Sequence, residues 1–305
     1  MTYMFNKTGY TTLDFNLNIS GLDTSLVTNM SYMFYYAGYN ATFWDIGDLS
    51  NWDTSNVTSM AYMFDFAAYD ALEFDIGNIG NWNVSNVTSM LSMFYCAGYK
   101  ATKWSIGDLS GWNTLNLSSV RNMFYCAGYN AETFNLGDLS NWNTSKFTGL
   151  YRMFAATGYN ASTWYIGKLS NWDLSGIDDK STLMGALDGV FMNAGYSANS
   201  IELDLSNWNI SNVKRMAGMF YSLGYSADFV SVGNLGNWDT SNIVDANLLF
   251  GGMGWNADSV YVGDLSNWNT SNMTTMEGLF NGLGAYSYNF SVGDLSTKTV
   301  TKDDG

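Results

Sequence analysis

The stretch "NVTSMAYMF", residues 56–64, decides the fold because it returns thirty residues later as "NVTSMLSMF", residues 86–94. A Met-Phe pair or its equivalent occurs ten times, beginning at Met4, Met33, Met63, Met93, Met123, Met153, Val190, Met219, Leu249 and Leu279. One Trp per unit follows a period of 30 residues with a single interval of 36: Trp52, Trp82, Trp112, Trp142, Trp172, Trp208, Trp238 and Trp268. Such a period is typical of stacked repeats that share one core. We therefore predict a single solenoid domain over residues 1–305.

Each unit divides into a predicted helix and a predicted strand. Apolar residues at the three- and four-residue spacing of a helix face are Val57, Met60, Met63, Phe64 and Ala67. Trp104 and Ile106 stand two apart, as on one face of a strand. The predicted fold is an α/β repeat solenoid, leucine-rich-repeat-like, with about ten coils, each one short helix plus one short strand in a parallel sheet. Strands pack about 4.8 Å apart and helices about 8–10 Å, so we expect the array to curve with its strands on the concave side.

Composition excludes several classes of function. The chain carries 27 acidic and 12 basic residues, a net charge of −15, which argues against nucleic acid and anionic membranes as partners. No run of about eighteen apolar residues predicts membrane insertion. Histidine is absent, so the commonest general base and metal ligand is missing. Because no catalytic constellation is present either, we expect a protein that is not an enzyme and has no cofactor and no metal.

The chain has only two cysteines, Cys96 and Cys126, at the same position of adjacent units. A disulfide needs alpha carbons within about 7 Å, whereas neighbouring helices usually lie farther apart. We therefore predict two buried thiols.

Asparagine recurs at a fixed place in the unit, and fourteen asparagines stand in N-x-S/T sequons. At the repeated position of Asn56 and Asn86 we favour a structural role, in which stacked amides satisfy backbone groups. Asn40 and Asn160, after the Tyr of their units, remain candidates for glycosylation.

Two further polar positions are predicted to form turns. Asp and Asn exchange freely at the position of Asp53 and Asn83, as expected where an acceptor oxygen is needed and a charge is not. A second column, at Asp48 and Asp108, could hold Ca²⁺, but Lys168 interrupts it and its spacing does not match a calcium loop. A solvated turn is the favoured interpretation.

The outward strand positions differ between units, while the core positions repeat. A binding surface on a solenoid is expected where packing leaves residues free to vary. The candidate binding residues are Phe43, Asp45, Glu73, Asp75, Lys103, Tyr165, Phe229 and Tyr261. The alternative is an unconstrained surface.

The segment "LSNWDTSNVTSMAYMF", residues 49–64, resembles the BspA-like leucine-rich-repeat surface proteins, whose repeats carry a W-D-T-S-N-V-T-x-M-x-x-M-F core. The resemblance recurs along the whole chain, although units of that family are usually shorter. It implies an extracellular or cell-surface protein with an adhesive role.

The ends and one insertion add a second hypothesis. The chain starts and finishes in incomplete units, and residues 173–190 lengthen one unit, as a tolerated insertion or a contact loop. Uncapped solenoid ends can stack head-to-tail into a fibre or layer. We thus expect a non-enzymatic adhesion or binding scaffold with a protein or glycan ligand on the strand face, or alternatively a self-assembling structural subunit.

Overall fold

The protein is a succession of short strands and turns wound into a β-solenoid, described by a computed structural model for residues 1–177, 179, 184–296 and 298. The ten strands have three residues each: β1 Asp14–Asn16, β2 Phe43–Asp45, β3 Glu73–Asp75, β4 Lys103–Ser105, β5 Thr133–Asn135, β6 Thr163–Tyr165, β7 Ser200–Glu202, β8 Phe229–Ser231, β9 Ser259–Tyr261 and β10 Asn289–Ser291. Nine turns of the chain therefore separate the first strand from the last.

The strands are parallel and in register, as the sequence predicts. Pairs form between β1 and β2, β3 and β4, and β5 and β6, while β7 to β10 form a four-stranded sheet. Between these groups the coils stay joined by backbone bonds beside the strands, such as that from Leu72 N–H to Thr42 O at 3.1 Å. The bond from Asn199 N–H to Ser162 O, 2.9 Å, shows that the register is recovered after the longer unit.

Strands β1 to β9 bury the central side chain and turn the two flanking side chains outward, whereas in β10 the central Phe290 is exposed. In β3, Phe74 is fully buried between exposed Glu73 and Asp75. Trp104 and the following Ile106 are both buried, which confirms their predicted placement on one face. Alternation of this kind follows from the two-residue period of a strand.

The predicted helix is wrong. In the described residues the only helical segments are four three-residue 3₁₀ turns, Ile79–Asn81, Leu139–Asn141, Leu235–Asn237 and Leu265–Asn267. The Met-Phe segment is instead a chain of β-turns, in which Met33 N–H donates to Met30 O and Tyr32 has a φ of 58°. A positive φ at the third residue of such a turn is incompatible with a right-handed α-helix.

Hydrogen bonds between coils explain why turns replace the helix. Every second backbone N–H of the segment donates to the next coil. Phe34 N–H donates to Met63 O at 2.8 Å, and Phe64 N–H donates to Met93 O at the same distance. Successive turns of three residues also place every third or fourth side chain inward, which is the spacing that predicted a helix. The strand side and the turn side of each coil are both hydrogen-bonded to the next coil. The wider spacing of packed helices, which was expected on one side and would have curved the array, is therefore absent.

The core consists of aromatic columns that run along the solenoid. Neighbouring phenylalanine rings of the Met-Phe segments stack with centroids 5.1–6.0 Å apart from Phe5 to Phe280. The Trp column is also internal, since Trp82 is 3 % exposed and its indole N–H donates to Leu49 O at 2.8 Å. Trp44, in β2, is buried as well. Each side chain thus packs against the equivalent side chain of two neighbours, which is how a unit too small to fold alone acquires a core.

The repeated polar residues have the structural roles predicted for them. Asp53 Oδ1 accepts the N–H of Ser55 at 2.9 Å, closing a turn, and Asp48 Oδ1 accepts the N–H of Ser50 at 2.8 Å. Asn56 donates its amide N–H to Ser25 O in the preceding coil, 2.7 Å away. Equivalent amide contacts at Asn86, Asn116, Asn242 and Asn272 satisfy backbone groups at the edges of several coils.

Cys96 and Cys126 are buried as predicted, but they form a disulfide, so the prediction that they are thiols is wrong. Their alpha carbons are 4.6 Å apart. The prediction assumed the spacing of packed helices, whereas stacked turns bring equivalent residues to the spacing of paired strands.

The longer unit contains one buried anchor. Asp179 is 5 % exposed, and its carboxylate accepts the N–H groups of Ala186, Lys214 and Arg215 at 2.9–3.1 Å. It therefore joins the longer unit to the backbone of the following coil. Its charged sequence neighbours Asp178 and Lys180 lie outside the described residues.

Candidate functional site

The strand face is the surface formed by the outward side chains of β1 to β10. Its aromatic members are well exposed: 52 % for Phe43, 44 % for Tyr165, 38 % for Phe229 and 48 % for Tyr261. An exposed aromatic ring on a rigid strand is held in place without being buried, which favours contact with a partner. The structure thus places all eight candidate residues on one face, but they are spread from β2 to β9 rather than gathered in one pocket.

The charged candidates of the strand face differ in how far hydrogen bonds or ion pairs within the protein already occupy them. Asp45 Oδ1 and Asp75 Oδ1 accept the N–H groups of Gly47 and Gly77 at 2.7 and 2.9 Å, so part of each carboxylate closes the turn after its strand. Lys103 Nζ lies 3.9 Å from Glu73 Oε2, and both side chains are more than half exposed. An ion pair this exposed contributes little to stability, so both groups remain available to a ligand.

Shallow depressions follow the strand face between neighbouring coils. One of about 470 Å³ lies beside Phe43, Asp45, Glu73 and Asp75. Another of about 530 Å³ lies beside Tyr261 and Phe290. These open, mixed polar and aromatic hollows can contact side chains or sugar rings, whereas deep enclosed pockets suit small molecules better.

The two glycosylation candidates lie at the corner that precedes each strand. Asn40 is half-buried, and its N–H donates to Tyr10 O at 3.1 Å. Asn160 is exposed, and its amide nitrogen donates to Asn130 Oδ1 at 2.6 Å. Glycosylation of either asparagine stays a prediction.

The same corner carries a column of tyrosines that the sequence analysis did not single out. The rings stack with centroids 4.4–5.6 Å apart in the order Tyr10, Tyr39, Tyr69, Tyr99, Tyr129, Tyr159, Tyr196, Tyr225 and Trp255. Burial within the column raises the pKa of Tyr196 to about 12. The ring faces pack against one another, so the column presents hydroxyl edges to solvent. Its role is therefore structural, and it offers no free ring face on which a ligand could stack.

The turn face, formed by the outward side chains of the Met-Phe segments, holds two residues that the sequence analysis missed. Asp65 is 6 % exposed among aromatic rings, and burial raises the pKa of its carboxyl to about 8. Arg152 lies over the rings of Tyr125 and Tyr151 at 5.9 and 5.2 Å. Aligning the units would have found both, because Asp65 replaces the tyrosine of its neighbours and Arg152 replaces the tyrosine of earlier coils.

The described residues hold neither a metal-binding cluster nor a membrane-spanning helix. Within the described ranges, no group of three or more Asp, Glu, Cys or His side chains is placed to hold a metal ion. No helix in the described part of the chain is long and apolar enough to cross a bilayer.

The repeat itself identifies the family. A family described as "Mycoplasma protein of unknown function, DUF285" matches residues 1–127, 71–190, 130–253 and 185–304. The chain belongs to this family. Nothing among the curated proteins and nothing among the solved structures matches it. The overlapping DUF285 matches follow the periodic sequence, and the structure shows that each period is one coil of the solenoid.

Proposed function

We propose that this DUF285 chain is a non-enzymatic, extracellular or cell-surface scaffold that binds a protein or glycan through its strand face. The observation that carries the proposal is the contrast within each strand. In β1 to β9 the central side chain is buried and apolar, while the flanking side chains point outward and change from coil to coil, as between the equivalent first residues Phe43, Lys103 and Thr163. A rigid scaffold with a variable face is the arrangement that other solenoids use for binding.

The disulfide and the repeat sequence support the proposed location. Structural disulfides persist in oxidising surroundings and are rare in reducing cytosol. Cys96–Cys126 joins two adjacent coils, which fits a protein that works outside the cell. The resemblance of the W-D-T-S-N-V-T-x-M-x-x-M-F core to BspA-like surface proteins points the same way.

The test compares strand-face variants with a matched exposed control. Tyr165→Ala and Tyr261→Ala each remove an exposed ring, and Leu115→Ala removes an apolar side chain that is 48 % exposed outside the strands. Wild-type protein is first applied to an array of immobilised glycans and purified surface proteins. We expect the two tyrosine variants to lose about tenfold or more in affinity for any captured ligand, as is usual for aromatic anchors, and the control to bind normally. Equal binding by all three variants would exclude the strand face.

A second candidate function is head-to-tail assembly. The first and last described coils leave apolar side chains exposed, including Tyr3 at 53 %, Leu13 at 67 %, Tyr286 at 67 % and Tyr288 at 87 %. A further coil, from the same chain or from a second molecule, would cover them. Negative-stain electron microscopy at low and high concentration separates the two functions, because filaments support assembly and single particles at high concentration exclude it.

A further inference from the structure

A cavity on the turn face lies where the repeat becomes irregular. It has a volume of about 360 Å³ and is bounded by Tyr151, Arg152, Met192, Gly218, Tyr221 and Leu248, among others. It is on a different surface from the strand face and is separate from the proposed binding function.

Small residues create the space for this cavity. In the first coils, the position before the Met-Phe pair holds Tyr3, Tyr32 and Tyr62, whose rings stack 4.6–4.7 Å apart. Further along the solenoid, the same position holds Gly189 and Gly218, and the column of rings is absent. A Cβ atom added at Gly189 would lie 3.2 Å from Arg152 Cγ, so the arginine stem runs across this glycine at the wall of the cavity.

Arg152 carries a charge that no described carboxylate neutralises. Among the described residues, no carboxylate lies within 4.0 Å of its guanidinium. This is notable in a chain with 27 acidic and 12 basic residues. The rings of Tyr125 and Tyr151 hold the guanidinium by cation–π contact, which orients it without using its hydrogen-bond donors.

The other charged groups beside the cavity are already paired. Arg215 contacts Asp188 at 3.3 Å and Asp245 at 3.2 Å. Asp188 also accepts the N–H groups of Gly185 and Ala217 at 2.8 and 2.9 Å. Asp188 is therefore committed to Arg215 and to the backbone, and Arg152 is the group left to meet an anion.

We propose that this cavity binds a small organic carboxylate with a compact, ring-shaped body. The planar guanidinium of Arg152 matches a carboxylate through two parallel N–H···O bonds. Met192, Leu248 and the ring of Tyr221 provide apolar contact for the body of the ligand. The volume is at the lower end for small-molecule sites, which fits one ring and no polymer.

Calorimetric titration with two matched pairs of probes tests the site. Benzoate is compared with benzamide, and glucuronate with glucose, so that each pair differs mainly in the carboxylate. We expect at least one carboxylate to bind about tenfold or more tightly than its neutral partner, the usual value of a charge-assisted hydrogen bond. Which carboxylate binds distinguishes an aromatic body from a sugar body. Failure of both carboxylates to bind, or equal binding of charged and neutral partners, overturns the proposal.

Variants at Arg152 locate the binding. Arg152→Gln removes the charge and should reduce carboxylate affinity about tenfold or more. Arg152→Lys keeps the charge but loses the planar guanidinium, so its carboxylate affinity should lie between those of Arg152→Gln and wild type. Arg121→Gln, one coil earlier and outside the cavity, is the control and should bind as wild type does. Circular dichroism confirms that each variant is folded. Wild-type affinity in folded Arg152→Gln overturns the assignment.

Discussion

Two adjacent columns of the turn segment differ in how strictly they repeat. The inner column is phenylalanine in every coil: Phe5, Phe34, Phe64, Phe94, Phe124, Phe154, Phe191, Phe220, Phe250 and Phe280. The outer column, one residue later, changes at almost every coil: Asn6, Tyr35, Asp65, Tyr95, Tyr125, Ala155, Met192, Tyr221, Gly251 and Asn281. Inner rings are packed between two equivalent rings, while outer side chains have neighbours on fewer sides. Repetition therefore marks the positions that packing determines, and variation marks positions open to other uses.

Removing one inner ring should have the largest effect. Phe124 is fully buried and stacks on Phe94 and Phe154 at 5.6 and 5.7 Å. We expect Phe124→Ala to lower the free energy of unfolding by about 3–5 kcal/mol, because it leaves a cavity between two rings. Chemical denaturation measures the change. Phe43→Ala, at a ring that is 52 % exposed, is the control and should change it by about 0.5 kcal/mol or less.

Breaking the disulfide should have the next largest effect. Cys96 and Cys126 are separated by 30 residues, and a cross-link over such a loop contributes roughly 3–4 kcal/mol in the chain-entropy model. The Cys96→Ala, Cys126→Ala double variant should unfold at lower denaturant, and reductant should shift wild type by a similar amount. Reductant should leave the double variant unchanged. A wild-type unfolding curve that does not respond to full reduction would contradict this role.

Replacing the buried carboxyl of Asp65, in the outer column, should have a smaller effect on the free energy of unfolding, and that effect should depend on pH. The pKa of Asp65 rises from its ordinary 3.8 to about 8 on burial, so between these values the folded state holds a proton that the unfolded state has released. The contribution of Asp65 to stability is therefore greatest below pH 4 and is lost as pH rises towards 8. We expect Asp65→Asn to be more stable than wild type by about 1–3 kcal/mol at pH 8, where the charged carboxylate is most costly to bury.

The pH profile of Asp65→Asn gives its own control. The gain in stability over wild type should shrink as pH falls from 8 to below 4, where the wild-type carboxyl becomes neutral in both the folded and the unfolded state. Asp53→Asn changes an exposed aspartate and should show no gain at pH 8. A gain for Asp65→Asn that stays constant from pH 4 to pH 8 would show that titration of Asp65 is not the cause.

The sequence predicted the architecture better than the local backbone. The period, the parallel strands and the inward side chains of the strands follow from spacing alone, because stacking requires equivalent residues to meet. The turns at Tyr32 and Phe34 could not be told from a helix, since both conformations bring every third or fourth side chain to one face. That single error also led to the wrong prediction for Cys96 and Cys126, because the distance between coils was taken from helices. Arg152 and Asp65 were missed because the ring contacts of Arg152 and the burial of Asp65 come from side chains of neighbouring coils, which the sequence does not show directly.

The bonding between coils has a consequence for how such a chain can evolve. Each coil offers its neighbour the same backbone donors and acceptors, as in the bonds from Phe34 to Met63 and from Phe64 to Met93. A duplicated or deleted segment of one whole period would therefore find compatible partners on both sides, and the length of the protein could change by one coil in a single genetic event. The longer unit, after which Asn199 again bonds to Ser162, shows that extra residues are accepted when the register is restored. Growth by whole coils would let the outer surface diversify while the interior stays the same.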